Sequence, residues 1–220
     1  MKEFIKKYRH AWLILTYLPL YMVWFLLLER HVTKGYHIIQ SPLDAYIPFN
    51  ELFIVPYLLW FPFIAVSVLY FIFRDRTECY RLSGLLIVGM TVFLLVSTFY
   101  PNGVALRPVL SELGRDNIFL DLVDVLHKAD TSTNVCPSIH VYNSLAVCFA
   151  FFASSHLKGK RILKAGILIL TVLICMSTVF LKQHSVIDVI WAFAVIAVAA
   201  PVIYARRLFK REHRASVVSE

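Results

Sequence analysis

Long apolar runs are the feature that most restricts how this chain can fold. About 20 consecutive apolar residues allow a helix to cross a hydrocarbon core roughly 30 Å thick. Six runs of about this length, with very few charged residues, cover residues 11–28, 52–73, 82–100, 138–155, 162–181 and 185–205. They predict an all-α fold, a polytopic bundle of six transmembrane helices that forms a single membrane domain over residues 1–220.

The composition excludes several other classes of protein. Hydrophobic residues make up 59% of the 220 residues and charged residues only 16%, whereas soluble domains have about 45–50% and about 25%. A water-soluble enzyme, a disordered chain and a nucleic-acid-binding domain are therefore excluded, despite the net charge of +8. The four cysteines do not form the spaced framework of a disulfide scaffold. The ten-residue alternation of a membrane β-barrel is also missing.

The basic residues predict the orientation of the helices. Most of the 22 Lys and Arg residues fall in segments that are cytoplasmic if the N-terminus is cytoplasmic, as the positive-inside rule requires. Both termini are then cytoplasmic, and the positive charge faces anionic lipid instead of nucleic acid. The first run ends in Glu29-Arg30-His31 without a small-residue cleavage site, so we interpret it as a retained helix and not a signal peptide. A cell membrane, the bacterial inner membrane in particular, is the expected location.

Two outer segments are too apolar to be plain loops. Residues 41–50 combine two prolines with aromatic residues and predict an interfacial approach to the second span. Residues 117–128 predict a short amphipathic helix with Asp116 as its N-cap. Its apolar face would consist of Ile118, Leu122, Val125 and Leu126. Two placements remain open for this helix: on the surface of the outer leaflet, or packed on the bundle.

Three polar groups fall at the predicted outer face, where ionisable residues are costly and usually functional. The first is Arg107-Pro108; the planar fork of Arg107 can clamp a phosphate, although an ordinary interfacial arginine is the alternative. The second is the segment from Cys136 to His140. Pro137 favours a helix start there, and free backbone N–H groups at residues 138–140 would form a seat for an anion.

The third polar group is the segment 182–188, which opens the last span. His184 and Asp188 are four residues apart and share a helical face. The carboxylate can hold one imidazole nitrogen and leave the other as a nucleophile or base. A zinc site built from His140, His184 and Asp188 is the competing interpretation, but the spacing lacks a short two-histidine motif.

Together these segments resemble the three ordered motifs of the type-2 phosphatidate phosphatase superfamily, which are Lys-x6-Arg-Pro, Pro-Ser-x-His and Ser-Arg-x5-His-x3-Asp. The matching positions are Arg107-Pro108, Pro137-Ser138-Ile139-His140, Ser177, His184 and Asp188. Tyr100 stands where the first motif has Lys, and Thr178 where the third has Arg. The form Gln-His-x3-Asp and the segment Tyr46-Ile47-Pro48-Phe49 look more like the branch with inositol-phosphorylceramide and sphingomyelin synthase relatives.

The resemblance implies a two-step reaction on a lipid phosphate at the outer face, without a metal or another cofactor. His184 would attack phosphorus while Asp188 steadies the imidazolium and His140 protonates the departing alcohol, which gives a phosphohistidine. The residues implied to bind the phosphate are Arg107, Ser138, Lys182 and Ser177. Lys182 would replace one of the two missing cations.

Two alternative functions remain open at this stage. A lipid phosphotransferase would pass the phospho-headgroup to a lipid or polyol acceptor. A non-catalytic binder or transporter of a lipid phosphate would keep the anion seat without turnover. In every case the expected partners are membrane lipids and a lipid phosphate, and no nucleic acid; the sequence does not rank phosphatidate, phosphatidylglycerol phosphate and polyprenyl diphosphate or specify an oligomeric state.

Overall fold

A computed structural model describes residues 8–217, with side chains described for residues 8–205, and this part of the chain is mostly helical. Its α-helices are α1 (Trp12–His31), α2 (Ile54–Arg74), α3 (Arg76–Phe99), α4 (Ile118–Ala129), α5 (Ile139–Ala153), α6 (Arg161–Phe180) and α7 (Val186–Val217). Two short strands, β1 (His37–Ile38) and β2 (Asn102–Gly103), pair in parallel. The predicted all-α class is confirmed.

Within the described residues, five segments are long and apolar enough to cross a membrane. They are Arg9–His31, Glu51–Arg74, Arg76–Phe99, Arg161–Phe180 and Val186–Ala205. Their outward faces carry exposed apolar side chains such as Val198 and Val202, as contact with lipid requires. The chain is therefore a multi-pass membrane protein, while the count of six spans and the cytoplasmic termini stay predictions.

The run at residues 138–155 forms the short helix α5, with 15 residues. At 1.5 Å per residue it is about 22 Å long, which is less than the thickness of the hydrocarbon core. Val141, Ala146, Val147 and Ala150 on α5 are fully buried. Most of α5 is thus packed against protein, in contact with α2, α3, α6 and α7, while Phe149 and Phe152 near its end are exposed.

A glycine allows α3 to approach α5 closely. A Cβ atom on Gly89 would lie 1.9 Å from Cε1 of Tyr142, so the Tyr142 ring occupies the space that any larger side chain would need. The Tyr142 hydroxyl donates to the Leu85 carbonyl, at 2.9 Å. This contact places α5 at the centre of the bundle.

The amphipathic helix is present, with two differences from its prediction. Asn117, and not Asp116, caps α4, because its Oδ1 accepts from the amides of Phe119 and Leu120; the predicted cap is wrong. The buried residues of α4 are Leu120 and Val123. The predicted apolar face, which includes Ile118 and Val125, is largely exposed. Helix α4 therefore packs on the bundle, and its second apolar face is free to contact lipid.

Candidate active site

The two motif histidines meet at one end of the bundle. His140 lies in the first turn of α5, and His184 lies in the turn between α6 and α7. Their ring centroids are 5.7 Å apart and their planes are inclined by 60°. Both side chains are buried. The structure thus brings together two residues that are 44 positions apart in the sequence.

Asp188 stands behind His184 as predicted, but the two residues do not share a helical face, because His184 lies in the turn before α7. Its Oδ2 lies 3.4 Å from Nδ1 of His184, a distance typical of an ion pair and longer than a normal hydrogen bond. The same oxygen accepts from the Ser185 amide at 2.9 Å, and Asp188 has no exposed surface. Because Nδ1 faces the carboxylate, Nε2 of His184 is the nitrogen left for chemistry.

The start of α5 is tied to the start of α7 through Ser138. The Ser138 amide donates to the Asp188 carbonyl at 3.2 Å, and the Ser138 hydroxyl accepts from the Val141 amide at 3.4 Å. Ser138 is therefore the N-cap, and the expectation that its N–H is free for an anion is wrong. This backbone contact explains why the two histidines are neighbours.

Aromatic residues of α2 form a wall around His140 that the sequence analysis missed. The ring of Tyr57 lies 4.6 Å from the imidazole, centroid to centroid, and that of Trp60 lies 4.4 Å away. The two residues are three apart on one helix, a spacing that places both on one face. That spacing is a detectable signal, but nothing in the sequence says which residue the pair packs against.

Arg107 contacts Gln183, the residue before His184, and its terminal nitrogens are fully engaged. One of them donates to the carbonyls of His127 and Asp130, at 3.3 and 2.9 Å. The other donates to the Thr131 carbonyl and to Oε1 of Gln183, at 2.8 and 2.6 Å. Burial lowers the pKa of Arg107, although Asp130 opposes this shift. Arg107 thus connects the loop after α4 to the residue that precedes His184.

Lys182 and Ser177 make contacts within the protein. The ammonium group of Lys182 donates to the carbonyls of Asp44 and Ile47, and burial lowers its pKa. The hydroxyl of Ser177, which is fully buried in α6, donates to the Ile174 carbonyl at 2.7 Å. The roles of both residues in phosphate binding remain predictions.

The two positions that depart from the motifs also have structural contacts. Tyr100 stacks on His37 with ring centroids 4.2 Å apart. The Thr178 hydroxyl donates to the Cys175 carbonyl, and the Thr178 carbonyl accepts from the amides of Gln183 and His184, each at 3.0 Å. The backbone of Thr178 therefore holds the turn that carries His184.

Two carboxylates also border the histidines, in a small cavity of about 50 Å³. Glu29 accepts from the side chains of Asn134 and Thr131, at 2.8 and 2.6 Å. Asp130 accepts from the hydroxyl of Tyr57 at 3.3 Å. Burial raises the pKa of Asp130 and Glu29 raises it further, whereas Arg107 opposes the shift. The sequence analysis missed both residues, since an isolated acid at the end of an apolar run has no distinguishing pattern.

Two buried amide side chains on this cavity have spare hydrogen-bonding capacity. Nδ2 of Asn134 donates to Glu29 and Oε1 of Gln183 accepts from Arg107, which fixes the orientation of each amide. The remaining atoms, Oδ1 of Asn134 and Nε2 of Gln183, have no hydrogen-bond partner in the described part of the chain. They offer one acceptor and one donor to a ligand.

Asn102 holds the loop that leads into α5. Its Oδ1 accepts from the amides of Val135 and Cys136, at 3.0 and 2.9 Å, and the side chain is fully buried. The Cys136 thiol lies beside Asp188. Burial, followed by the charge of that carboxylate, raises the pKa of the thiol to about 12, so this cysteine stays protonated at neutral pH.

The described side chains contain no group of three or more His, Cys, Asp or Glu residues placed to hold a metal ion. The ionisable groups at the site are instead a facing pair of imidazoles, one carboxylate behind His184, one guanidinium and two flanking carboxylates. Such an arrangement can supply a nucleophile, a proton donor and a buried positive charge.

Comparison with known protein families gives a match over the part of the chain that carries the histidines. The family model described as the PAP2 superfamily matches residues 85–212, more than half of the chain and all three polar groups. The chain belongs to the PAP2 superfamily. No curated protein matches it, and no solved structure does.

Membership of the PAP2 superfamily fits the chemistry of phosphatases and phosphotransferases, and supports a phosphate hydrolase because the superfamily generally comprises phosphatases. The matched residues include Arg107, His140, His184 and Asp188. The part of the chain before residue 85 lies outside the match, yet it contributes Glu29, Tyr57 and Trp60 to the surroundings of the site.

Proposed function

We propose that this protein hydrolyses a phosphomonoester or a diphosphate on a lipid, at the outer face of the cell membrane, through a phosphohistidine intermediate. The observation that carries the proposal is the pair of facing imidazoles, 5.7 Å apart, with Asp188 at 3.4 Å behind one of them. Pure binding of a phosphate has no need for an oriented nucleophile, so this arrangement favours catalysis.

In the first step, the lone pair on Nε2 of His184 attacks the terminal phosphorus while its bond to the ester oxygen of the lipid breaks, or, in a diphosphate, its bond to the bridging oxygen. Asp188 stabilises the positive charge that develops on the imidazole. The departing oxygen takes a proton from the His140 imidazolium. The products of this step are the lipid alcohol, or the lipid monophosphate when the substrate is a diphosphate, and a phosphorylated His184.

In the second step, water attacks phosphorus, and neutral His140 accepts the proton of that water. The phosphorus–nitrogen bond breaks, and the bonding electrons return to His184. Arg107 provides positive charge close to the phosphoryl oxygens, and a substrate that displaces one of its carbonyl acceptors would contact it directly. The apolar wall of Tyr57 and Trp60 keeps His140 oriented in both steps.

The direct test measures phosphate release from a lipid phosphate in detergent micelles, with chelator present. We expect the wild type to release phosphate, and His184→Asn and His140→Ala to lose almost all activity. His156→Asn is the matched control, because His156 is exposed and pairs with Asp75 at the opposite end of the bundle. Activity retained in His184→Asn would disprove the nucleophile, and loss of wild-type activity with chelator would support a metal instead.

Trapping the intermediate separates catalysis from binding. With a ³²P-labelled substrate, rapid acid-free denaturation should leave label on the wild type but none on His184→Asn. A non-catalytic binder would leave the substrate intact and the protein unlabelled.

A bell-shaped dependence of kcat on pH is also expected, since His184 must be neutral while His140 is protonated.

A lipid phosphotransferase is the second candidate, and the two flanking carboxylates favour it. Glu29 and Asp130 can accept hydrogen bonds from a hydroxyl group of an acceptor, whereas they repel a dianionic phosphate. Mass spectrometry of the products, with and without a lipid alcohol, distinguishes hydrolysis from transfer. A transfer product would also support the branch with inositol-phosphorylceramide and sphingomyelin synthase relatives.

A further inference from the structure

Asp44 is a buried carboxylate far from the motifs in sequence and outside the residues that match the superfamily. It lies in the 3-10 helix Pro42–Ala45. Its carboxylate accepts three hydrogen bonds: from the Ser41 amide at 2.7 Å, the Ser185 hydroxyl at 2.6 Å and the Val186 amide at 2.8 Å. Two of these donors, Ser185 and Val186, lie between His184 and Asp188 in the chain.

Ser185 connects Asp44 to Asp188. The hydroxyl of Ser185 donates to Oδ2 of Asp44, while its backbone amide donates to Oδ2 of Asp188 at 2.9 Å. Oδ2 of Asp188 is the same oxygen that lies 3.4 Å from Nδ1 of His184. The contacts therefore form a chain from Asp44 through Ser185 and Asp188 to His184.

We propose that Asp44 is a positioning residue for catalysis, which holds the Ser185 turn so that Asp188 faces His184. This inference rests on the proposed function. Hydrogen bonds to an ionised carboxylate are about twice as strong as neutral ones, and a negative charge is favoured where α7 begins. A supporting contact of this kind matters because small displacements of reacting groups cost large factors in rate.

Lys182 strengthens the same connection from the other side. Its ammonium group donates to the carbonyls of Asp44 and Ile47, which adds two hydrogen bonds to the two that the Asp44 carboxylate accepts from Ser185 and Val186. Next to these segments, the Asn50 amide donates to the Phe180 carbonyl at 3.1 Å. We therefore expect a change at Asp44 to loosen this turn in particular.

The kinetic test compares Asp44→Ala and Asp44→Asn with Asp116→Asn, an exposed carboxylate that serves as the matched control. We expect Asp44→Ala to lower kcat about 10- to 100-fold with KM changed by less than about twofold. Asp44→Asn keeps one oxygen acceptor for the Val186 amide, so its loss should be smaller. Wild-type kinetics in Asp44→Ala would overturn the inference.

A double variant separates positioning from general damage. If Asp44 acts through Asp188, adding Asp44→Ala to Asp188→Asn should lower kcat by less than about threefold further, because residues that act as a unit are not additive. If Asp44→Ala lowers kcat by the same factor in the Asp188→Asn background as in the wild type, Asp44 does not act through Asp188. If Asp44→Ala does not fold, Asp44→Asn provides the same comparison.

Hydrogen exchange tests the contact without any assay of activity. The backbone amides of residues 184–188 should exchange faster in Asp44→Ala, or in Asp44→Asn, than in Asp116→Asn. Unchanged exchange would refute the positioning role even if phosphate release fell. If the wild type releases no phosphate, the proposed function fails, whereas faster exchange would still support the structural part of the inference.

Discussion

The imidazole side and the cation side of the site are built in different ways. His140 and His184 are anchored at the starts of two helices, and these starts are joined by the contact between the Ser138 amide and the Asp188 carbonyl. Arg107 and Lys182 lie in connecting segments and donate to backbone carbonyls. The reacting groups are thus held by regular structure, while the positive charges hold loops together.

This difference shows that a charge pattern in a sequence does not state which partner the charge will take. Both basic residues were expected to face phosphate. In the folded chain each also satisfies buried carbonyl groups, which otherwise cost free energy when they are removed from water. The cations can therefore act as scaffold, as phosphate ligands, or as both in succession, and mutation can distinguish these roles.

Loss of the carboxylate behind His184 should have the largest effect on the imidazole side. Asp188→Asn keeps the shape of the side chain but removes the charge that stabilises the imidazolium, so kcat should fall about 10²- to 10⁴-fold. Initial rates of phosphate release measure this effect. Asp121→Asn, which changes an exposed carboxylate of α4, is the control. A loss of only a few-fold in kcat would mean that the imidazole side and the cation side contribute similarly to the rate.

Arg107 should give the next largest effect. Arg107→Lys retains the charge but cannot donate to four acceptors on two segments, so kcat/KM should fall about 10- to 100-fold and the thermal midpoint should fall with it. Circular dichroism in detergent measures the midpoint, and Arg115→Lys is the control at an arginine that pairs with Glu51 instead. A fall in kcat/KM with an unchanged midpoint would assign Arg107 to the phosphate alone.

Lys182→Met should impair catalysis less than Arg107→Lys does. Its separate effects on kcat and KM show which role Lys182 has. If its ammonium group mainly holds the carbonyls of Asp44 and Ile47, kcat should fall by less than about tenfold, with little change in KM. A several-fold increase in KM with kcat unchanged would instead assign Lys182 to substrate binding. Lys128→Met, at an exposed ion pair with Asp124, is the control.

The smallest expected effect is on stability and depends on pH. Burial, and then Arg107, lower the pKa of His127 to about 4, while its pKa in the unfolded chain is about 6.5. As the pH falls from 6.5 towards 4, the unfolded chain takes up a proton that the folded chain does not, so the folded state loses stability. Above pH 6.5 the residue is neutral in both states and contributes nothing to this dependence.

Replacing His127 with Gln should remove that part of the pH dependence. Between pH 7 and pH 4, the thermal midpoint of the variant should fall by about 2–4 °C less than that of the wild type. Carboxylates that titrate in the same range affect both proteins equally, so the difference between the two curves is the quantity to compare. Parallel curves would contradict the lowered pKa.

Part of the site was predictable because residues close together in the chain meet through local structure. The predicted contact between His184 and Asp188 is present, but His184 lies in the turn before α7, so the short separation in the chain brings the two together and not a shared helical face. Tyr57, Trp60, Glu29, Asp44 and Asn102 were not predictable in the same way. Each acts on a residue from another part of the chain, and an apolar or isolated polar side chain carries no local sign of such a partner.

The fourth apolar run shows that composition measures hydrophobicity and not the surroundings of a helix. Residues 138–155 are as apolar as a lipid-facing span, but most of α5 is buried against other helices, and Gly89 leaves room for its Tyr142. An apolar run predicts burial in lipid and burial in a protein core equally well.

The sequence by itself determined that the chain is a helical membrane protein and that two histidines and an aspartate lie at helix starts, because hydropathy and spacing act over one helix. Only the tertiary structure decided that the imidazoles face each other, that Arg107 and Lys182 bind carbonyls, and that Asp44 supports the turn of Asp188. Those contacts join segments tens of residues apart, and their geometry depends on how whole helices pack.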